Sequence, residues 1–353
     1  MRKMGLGSDI LTVHTKRTPS MAPRVVRSLL MHTADDSSDP KPALAGPALG
    51  QGLEPLLRHA CNDALGPVTW FRTDWQYGGA ATGRASLKEL DGTEHKVVVK
   101  LPVSVREAVW LERLQAAPQP LPVPRLFKSG RSLGQYDLAW IVIEWFPSGP
   151  LGMHWHESHL ERTCAAAAAF HAEALKHPVT KDLPLEDWDD LFDRARAAVR
   201  TQSIDTPLRW KTAHKKLRKQ MSGLVKAWRA REPIEWLHGD LHLANAMSRG
   251  NSEEGPVALI DLAEVRPGHW IEDAVYLERL QWARPTRLSG NSPVRHLAMA
   301  RKAIGLENGP EYARLADIRR TLYAATAPAF LRTEGGAQLT ASLDHLEEGL
   351  SRL

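Results

Sequence analysis

Trp236-Leu-His-Gly-Asp-Leu-His-Leu-Ala-Asn245, followed after a short insert by Val257-Ala-Leu-Ile-Asp261, is the stretch on which the reading of this chain turns. It sets His238, Asp240, Asn245 and Asp261 in an order and spacing suited to magnesium-dependent phosphoryl transfer. Such a site needs a group that accepts or orients the proton of an attacking hydroxyl, and oxygen ligands for the metal that bridges nucleotide phosphates. Asp240 is the candidate for the first task. Asn245 offers a neutral amide oxygen and Asp261, at the end of an apolar strand, an anionic one. Both suit Mg2+, a hard cation that prefers a few oxygen ligands and the phosphates themselves. One such residue alone in a loop is usually a turn former or a cap, so the reading rests on the combination.

The same residues admit another arrangement. His238, Asp240 and His242 alternate and could share one face around a transition metal, with His269 as a distant fourth ligand, as in a metallohydrolase. That reading leaves Asn245 unused. A nucleotide-binding scaffold that has lost turnover is a further alternative.

Working outward, the residues before the motif read as a strand-rich lobe. Strand-like pieces at 68–72, 85–90 and 95–101, with Asp91-Gly92 as a tight turn, predict an antiparallel meander. Apolar periodicity predicts a helix over 103–116, ended by the prolines of 118–124. A strand at 139–144 runs into Pro147-Ser-Gly-Pro150, which reads as a domain junction. Beyond it the pattern is helical at 158–176, 185–199, 211–229, 271–282, 310–331 and 337–351, and the motif lies between the third and fourth of these. The expected fold class is therefore α+β and two-lobed, with an antiparallel-sheet N-terminal lobe carrying one helix and a mainly helical C-terminal lobe. The expected divisions are a tail or linker over 1–50, whose Pro/Gly/Ser content cannot bury enough surface to order itself, a nucleotide-binding lobe over 51–146, and a catalytic and acceptor-binding lobe over 147–353.

Composition narrows the setting. The formal charge is +5, but residues 1–31 hold six cations against Asp9 alone, so the remainder is neutral and offers no nucleic-acid footprint. Cys61 and Cys164 have neither the spacing of a disulfide framework nor a zinc motif, which fits a reducing cytoplasm. The most apolar run, at 165–170, is far too short to span a membrane, and the N-terminus lacks a signal-peptide core; Met21 or Met31 could be the true start.

With Lys100 and Glu107 added, the motifs resemble the aminoglycoside phosphotransferase and choline kinase family, small-molecule kinases with a protein-kinase-like fold. Val97-Val-Val-Lys100 resembles the strand whose lysine contacts the ATP phosphates, and Glu107 in Arg106-Glu-Ala-Val-Trp-Leu-Glu-Arg-Leu114 matches the position that pairs with it. Trp140-Ile-Val-Ile-Glu-Trp-Phe146 is similar to the hinge strand; on that resemblance the Glu144 carbonyl and the Phe146 amide meet the adenine. Gln76-Tyr-Gly-Gly-Ala-Ala-Thr-Gly83 stands where the phosphate-covering loop belongs, with Gly78 and Gly79 as the residues that permit close approach. Ala168-Ala-Phe-His-Ala172 resembles the helix end before the catalytic segment, and Glu272-Asp-Ala-Val275 the acidic segment that braces it. In the family the histidine at 238 is structural. The likeness covers roughly 68–285 and implies ATP and Mg2+ as cofactors. One departure is Leu262-Ala-Glu264 after Asp261, where the family has an aromatic or acidic follow-up.

Protein kinases carry an arginine before the catalytic Asp and an activation segment after the metal-binding one. Here Gly239 takes the arginine's place and only 262–272 separate Asp261 from Asp273. The implied partner is a small-molecule hydroxyl acceptor. Arg209, Lys211, Lys215, Lys216, Arg218 and Lys219 form a basic run that is either a solvated face or, if it faces the cleft, the sign of an anionic acceptor.

Overall fold

The computed structural model describes residues 45–71, 80–179, 186–232, 234–331 and 336–353. Its first element is helix α1 (Ala45–Ala60). Residues 45–50, assigned to the linker by composition, belong to this helix: Leu53, Leu57 and Cys61 enter a core with Val97, Val99, Leu101, Trp140 and Val142, and Gly50 packs so closely on the Trp70 ring that a Cβ would not fit.

Strands β1 (Thr69–Phe71), β2 (Ala81–Lys88), β3 (Glu94–Leu101), β4 (Leu126–Gly130) and β5 (Trp140–Glu144) form one antiparallel sheet in the order β1-β2-β3-β5-β4. The turn between β2 and β3 uses Gly92 at φ 89°, with the Thr93 amide donating to Asp91 Oδ1 at 2.8 Å. Period-two alternation buries Val97, Val99 and Leu101 beneath α1 and sends Lys100 to the opposite face. That face is met by α2 (Val105–Arg113), capped by Ser104, whose Oγ accepts the Glu107 amide at 3.0 Å. Placing Glu107 in the first turn and burying Ala108, Trp110 and Leu111 aims its carboxylate at β3.

The remainder is mainly helical: α3 (Ser158–Ala174), α4 (Trp188–Thr201), α5 (Pro207–Arg229), then, after the strand pairs described next, α6 (Ile271–Arg279), α7 (Pro285–Leu288), α8 (Pro293–Ala303), α9 (Tyr312–Thr326) and α10 (Gly336–Arg352). Two ribbons interrupt it. β6 (Glu235–Leu237) pairs with β9 (Arg266–Gly268), and β7 (Ala246–Ser248) with β8 (Val257–Leu259), so the motif's loops hang from paired strands. This is the two-lobed, protein-kinase-like α+β arrangement expected from the sequence. Among the described residues no helix is long and apolar enough to cross a membrane.

The helical lobe buries neutral imidazoles. His214 on α5 sits against Phe192 and Trp210, with ring centroids 5.0 and 5.3 Å away, and donates Nε2–H to the Ala325 carbonyl at 3.0 Å. Burial pushes its pKa down to about 4, against the opposing pull of that hydrogen bond. His269 is likewise pushed down by burial to about 4. Both shifts lie below the unfolded value, so the unfolded chain binds these protons first. Stability is therefore whole above about pH 6.5 and declines toward pH 4, by roughly 3 kcal/mol per histidine at most. Melting curves between pH 7.5 and 4.5 should show the decline, and His214→Gln, which can still donate to Ala325 but does not titrate, should flatten part of it; an unchanged slope would refute the assignment.

Candidate active site

Lys100 Nζ lies 2.7 and 3.0 Å from the two Glu107 oxygens and 3.4 Å from Asp261 Oδ1. Burial opposes charge on this amine, but Glu107 and Asp261 together override it and hold Lys100 protonated. Contacts near 3 Å join three residues from β3, α2 and the end of β8, separated by up to 161 positions in sequence. Asp261 itself is left-handed at φ 62° and half-exposed, so its carboxylate projects from the turn rather than packing within it.

The loop from β6 to β7 holds Asp240. Its Oδ1 accepts the Tyr276 hydroxyl at 2.8 Å; its Oδ2 accepts Asn245 Nδ2 at 3.2 Å and lies 3.4 Å from His242 Nε2. Burial alone would raise the Asp240 pKa, but His242, the Tyr276 hydroxyl and His238 outweigh it, and the carboxyl titrates well below the usual range. Asp240 is thus a fixed anion. Asn245 Nδ2 also donates to the Asp240 carbonyl at 3.0 Å, which commits the amide nitrogen and turns the amide oxygen away from Asp240. The Ile260 amide donates to the Asn245 carbonyl at 2.9 Å, which brings the approach to Asp261 alongside Asn245. Asn245 and Asp261 are thus neighbouring oxygen donors of the kind Mg2+ accepts.

The loop is held from behind. Asp273 on α6 accepts the His238 amide at 2.9 Å and the Gly239 amide at 3.0 Å, and also meets His171 Nε2 at 3.0 Å. Arg301 Nη1 faces His171 Nδ1 at 3.1 Å; since a guanidinium only donates, Nδ1 accepts and Nε2 carries the proton to Asp273. Gly239 adopts φ 81°, and a Cβ there would run into the Glu264 carbonyl. No arginine could stand in its place.

His238 donates Nε2–H to the Ile260 carbonyl at 3.0 Å, and its Nδ1 accepts the Asp240 amide at 3.3 Å. Both ring nitrogens are spent on backbone, so the His238, Asp240 and His242 metal set is not assembled. Among the described residues no three His, Cys, Asp or Glu side chains gather as a metal site.

At the hinge the Glu144 carboxylate is structural. It takes Arg249 Nε at 2.9 Å and the Arg125 amide at 3.0 Å, while Arg249 Nη1 and Nη2 reach the carbonyls of Leu121 and Val123 at 2.6 and 2.8 Å. The Trp145 amide donates to the Lys96 carbonyl at 3.3 Å. Among the described residues, neither the Glu144 carbonyl nor the Phe146 amide makes a backbone hydrogen bond outside the strand ladders. A cavity of about 420 Å³ beside the hinge is lined by Lys96, Arg125, Glu144, Trp145 and Arg249, and includes none of Lys100, Asp240 or Asp261.

Gly78 and Gly79 lie outside the described residues. Gly83, the last of that glycine stretch, is inside β2 and packs against Val68 and Trp70. In the basic run, Arg209 pairs with Asp344 and Glu347, while Lys211, Lys215 and Arg218 line a cavity of about 290 Å³ with Arg196 and Arg200 of α4. None of the motif residues takes part in it. Tyr276 and Arg249 were not singled out by sequence. Tyr276 follows Asp273 by three on one helix, a spacing that puts both on the face toward the loop; Arg249 carries no such signal.

Residues 81–318 match the family described as APH, the phosphotransferase enzyme family. Among solved structures, the chain is similar to an aminoglycoside phosphotransferase from Streptomyces rimosus ATCC10970, at 19% identity over 79% of this chain and 98% of that one, TM-score 0.41. It is also similar to an aminoglycoside phosphotransferase from Alicyclobacillus acidocaldarius, at 13% identity over 82% and 94%, TM-score 0.48. A microcompartment-associated aminopropanol kinase is similar at 12% identity over 86% and 95%, TM-score 0.48. No curated protein matches the sequence.

Proposed function

The chain belongs to the phosphotransferase enzyme family, and from that premise we propose that it moves the γ-phosphate of ATP, bound with Mg2+, to a hydroxyl group of a small molecule. The observation that carries this reading is the arrangement of Asp240: a carboxylate kept anionic by Tyr276 and His242, with Asn245 bonded to it, while Asp261 meets Lys100 of an already formed Lys100–Glu107 pair. Lys100 would meet the α and β phosphates, and the Glu144 carbonyl and Phe146 amide the adenine. Gly78 and Gly79 remain the candidates for covering the phosphates.

Asn245 and Asp261 would hold Mg2+, which neutralises phosphate charge when bound. Asp240 orients the acceptor hydroxyl. Its oxygen bonds to phosphorus as the bond from phosphorus to the ADP oxygen breaks, and the hydroxyl proton passes to the Asp240 carboxylate and on to solvent. Cys61 and Cys164 are free and buried, which agrees with a reducing, ATP-supplied cytoplasm.

Acceptor-dependent ADP release tests the reading, with aminoglycosides, choline, amino alcohols, nucleosides, sugars and sugar acids as candidate acceptors. Release should require Mg2+, and Asp261→Ala should raise the KM for MgATP by at least about tenfold, the loss of a charged ligand. Nucleotide binding with no release for any acceptor would favour the scaffold that has lost turnover. An unaltered KM in Asp261→Ala would remove that residue from the site.

A further inference from the structure

At one place in the helical lobe, arginines outnumber the carboxylates that meet them. Around α6, Arg231, Arg266 and Arg319 lie 3.0, 2.9 and 3.7 Å from the Glu272 oxygens, and Arg319 also pairs with Glu186 at 2.5 Å. Arg279, on the same helix, joins this group, and among the described residues no carboxylate pairs with it. It is 4% exposed, and its Nε and Nη2 are buried with no hydrogen bond. Its guanidinium lies 4.3 Å from the Tyr323 ring centroid and 5.2 Å from that of Tyr276. Arg319 lies 4.1 Å from the same Tyr323 ring, so one aromatic ring carries two cations.

Aromatic contact recovers part of the cost of burying a cation, but not the cost of leaving it without an anion. Elsewhere in this lobe the rule is kept: Arg301 has Glu235 at 2.9 Å and Arg320 has Glu278 at 2.7 Å. A buried charge that breaks the rule calls for a counter-charge from outside the chain.

The place of this cation gives the counter-charge a role. Tyr276, whose ring underlies Arg279, donates its hydroxyl to Asp240 Oδ1. Two contacts therefore separate the guanidinium from the carboxylate assigned to the acceptor hydroxyl, a span that a molecule the size of a sugar or an amino acid bridges. Resting on the phosphotransferase reading above, we propose that the acceptor carries a carboxylate or phosphate group and that Arg279 receives it. A polycationic acceptor would bring ammonium groups toward the local surplus of arginine around Arg279 and Arg319. The basic run on α5 plays no part, since it lines a different cavity.

Calorimetric titration with sulfate as the anion probe, on the full chain saturated with MgADP and at constant ionic strength, tests the proposal. Wild type should bind sulfate saturably; Arg279→Lys, a point charge without the fork, should bind about tenfold more weakly, and Arg279→Met should lose this binding. Absence of binding in wild type, or equal binding in Arg279→Met, overturns the proposal. MgADP binding measured in each variant reports that the chain has folded, and its failure in wild type would instead overturn the phosphotransferase reading. The acceptor screen gives the second arm: compounds that release ADP should be anionic, and their kcat/KM should fall on the order of a hundredfold in Arg279→Met. Matched carboxylate and phosphate derivatives of one scaffold distinguish the two anions. A neutral or cationic acceptor turned over equally by wild type and Arg279→Met overturns it.

Discussion

Asp240→Asn should lower kcat on the order of a thousandfold while changing the affinity for MgATP by no more than a few fold. The substitution keeps the size of the side chain and one acceptor oxygen. It cannot satisfy all its partners at once, because Tyr276 Oη–H, Asn245 Nδ2 and His242 Nε2 all surround the carboxylate as hydrogen-bond donors. Turned one way, its NH2 faces Asn245 Nδ2, which can only donate; turned the other, it replaces the oxygen that accepts the Tyr276 hydroxyl, and in neither case does an anion remain to orient or take the acceptor proton. The nucleotide side is built from other groups: Lys100, Glu107 and Asp261 make their contacts without Asp240. A fall in kcat with KM for MgATP preserved is the expected pattern in steady-state kinetics, and turnover within about threefold of wild type would remove Asp240 from the chemistry. Because the Asp240 carboxyl is held far below neutrality, the pH profile of the wild type should show no limb from this group between pH 5 and 8.

The parts of this molecule that were legible in the sequence are those whose chemistry is written locally. Asp240 and Asn245 are five residues apart on one loop, and Lys100 precedes Glu107 by seven across one strand-to-helix turn, so spacing carries their relation. Strand β4 was missed for a physical reason: Leu126–Gly130 is half-buried throughout and broken by a register shift between Leu126 and Lys128, which erases the alternation a strand normally shows. Helix α8 was missed because the face it buries includes Arg301, a charged residue in place of an apolar one. Helix α1 was missed altogether: Ala45-Gly-Pro-Ala-Leu-Gly50 has a composition typical of linkers and becomes helical here because Leu53 and Leu57 behind it have a sheet to cover. Tertiary context overrode propensity in that case.

The same distinction separates the residues that touch the reaction from those that hold them. His171, Asp273 and Arg301 meet across 102 and 130 positions of sequence. Nothing in the local pattern of an alanine-rich helix announces that His171 will carry a proton to Asp273. The acidic segment at 272–275 was legible as a brace for the loop; which carboxylate braces it was not. Glu272 turns into the arginine cluster, and Asp273 one position on turns to the loop, as neighbouring positions of a helix must face apart.

Asp273→Ala should therefore cost the fold about 3–5 kcal/mol, the range for breaking a buried charged network from one side, and should lower the melting temperature by roughly 10 °C. Three donors lose their acceptor together: the His238 and Gly239 amides and His171 Nε2–H. Each is then buried without a partner, and Arg301 behind His171 has one neighbour fewer to fix it. Burial by itself would raise the Asp273 pKa; His171, His238 and the Gly239 amide more than reverse this, so the carboxyl lies below its ordinary value. For a depressed carboxylate the sign is definite. Its contribution is complete above the unfolded value near 3.9 and is lost only as pH falls through the folded one, so the full penalty of the substitution should appear at pH 7 and shrink in strong acid. Activity should fall with stability, because the backbone at 238–240 that Asp273 holds is the backbone that carries Asp240. The comparison with His171→Gln separates the two effects: an amide can still donate to Asp273, so that variant should recover most of the activity and part of the melting temperature. If Asp273→Ala melts within about 2 °C of wild type, a shift worth less than one ordinary hydrogen bond, the loop is held by something other than this carboxylate, and the arrangement from Arg301 to Asp240 does not act as one unit.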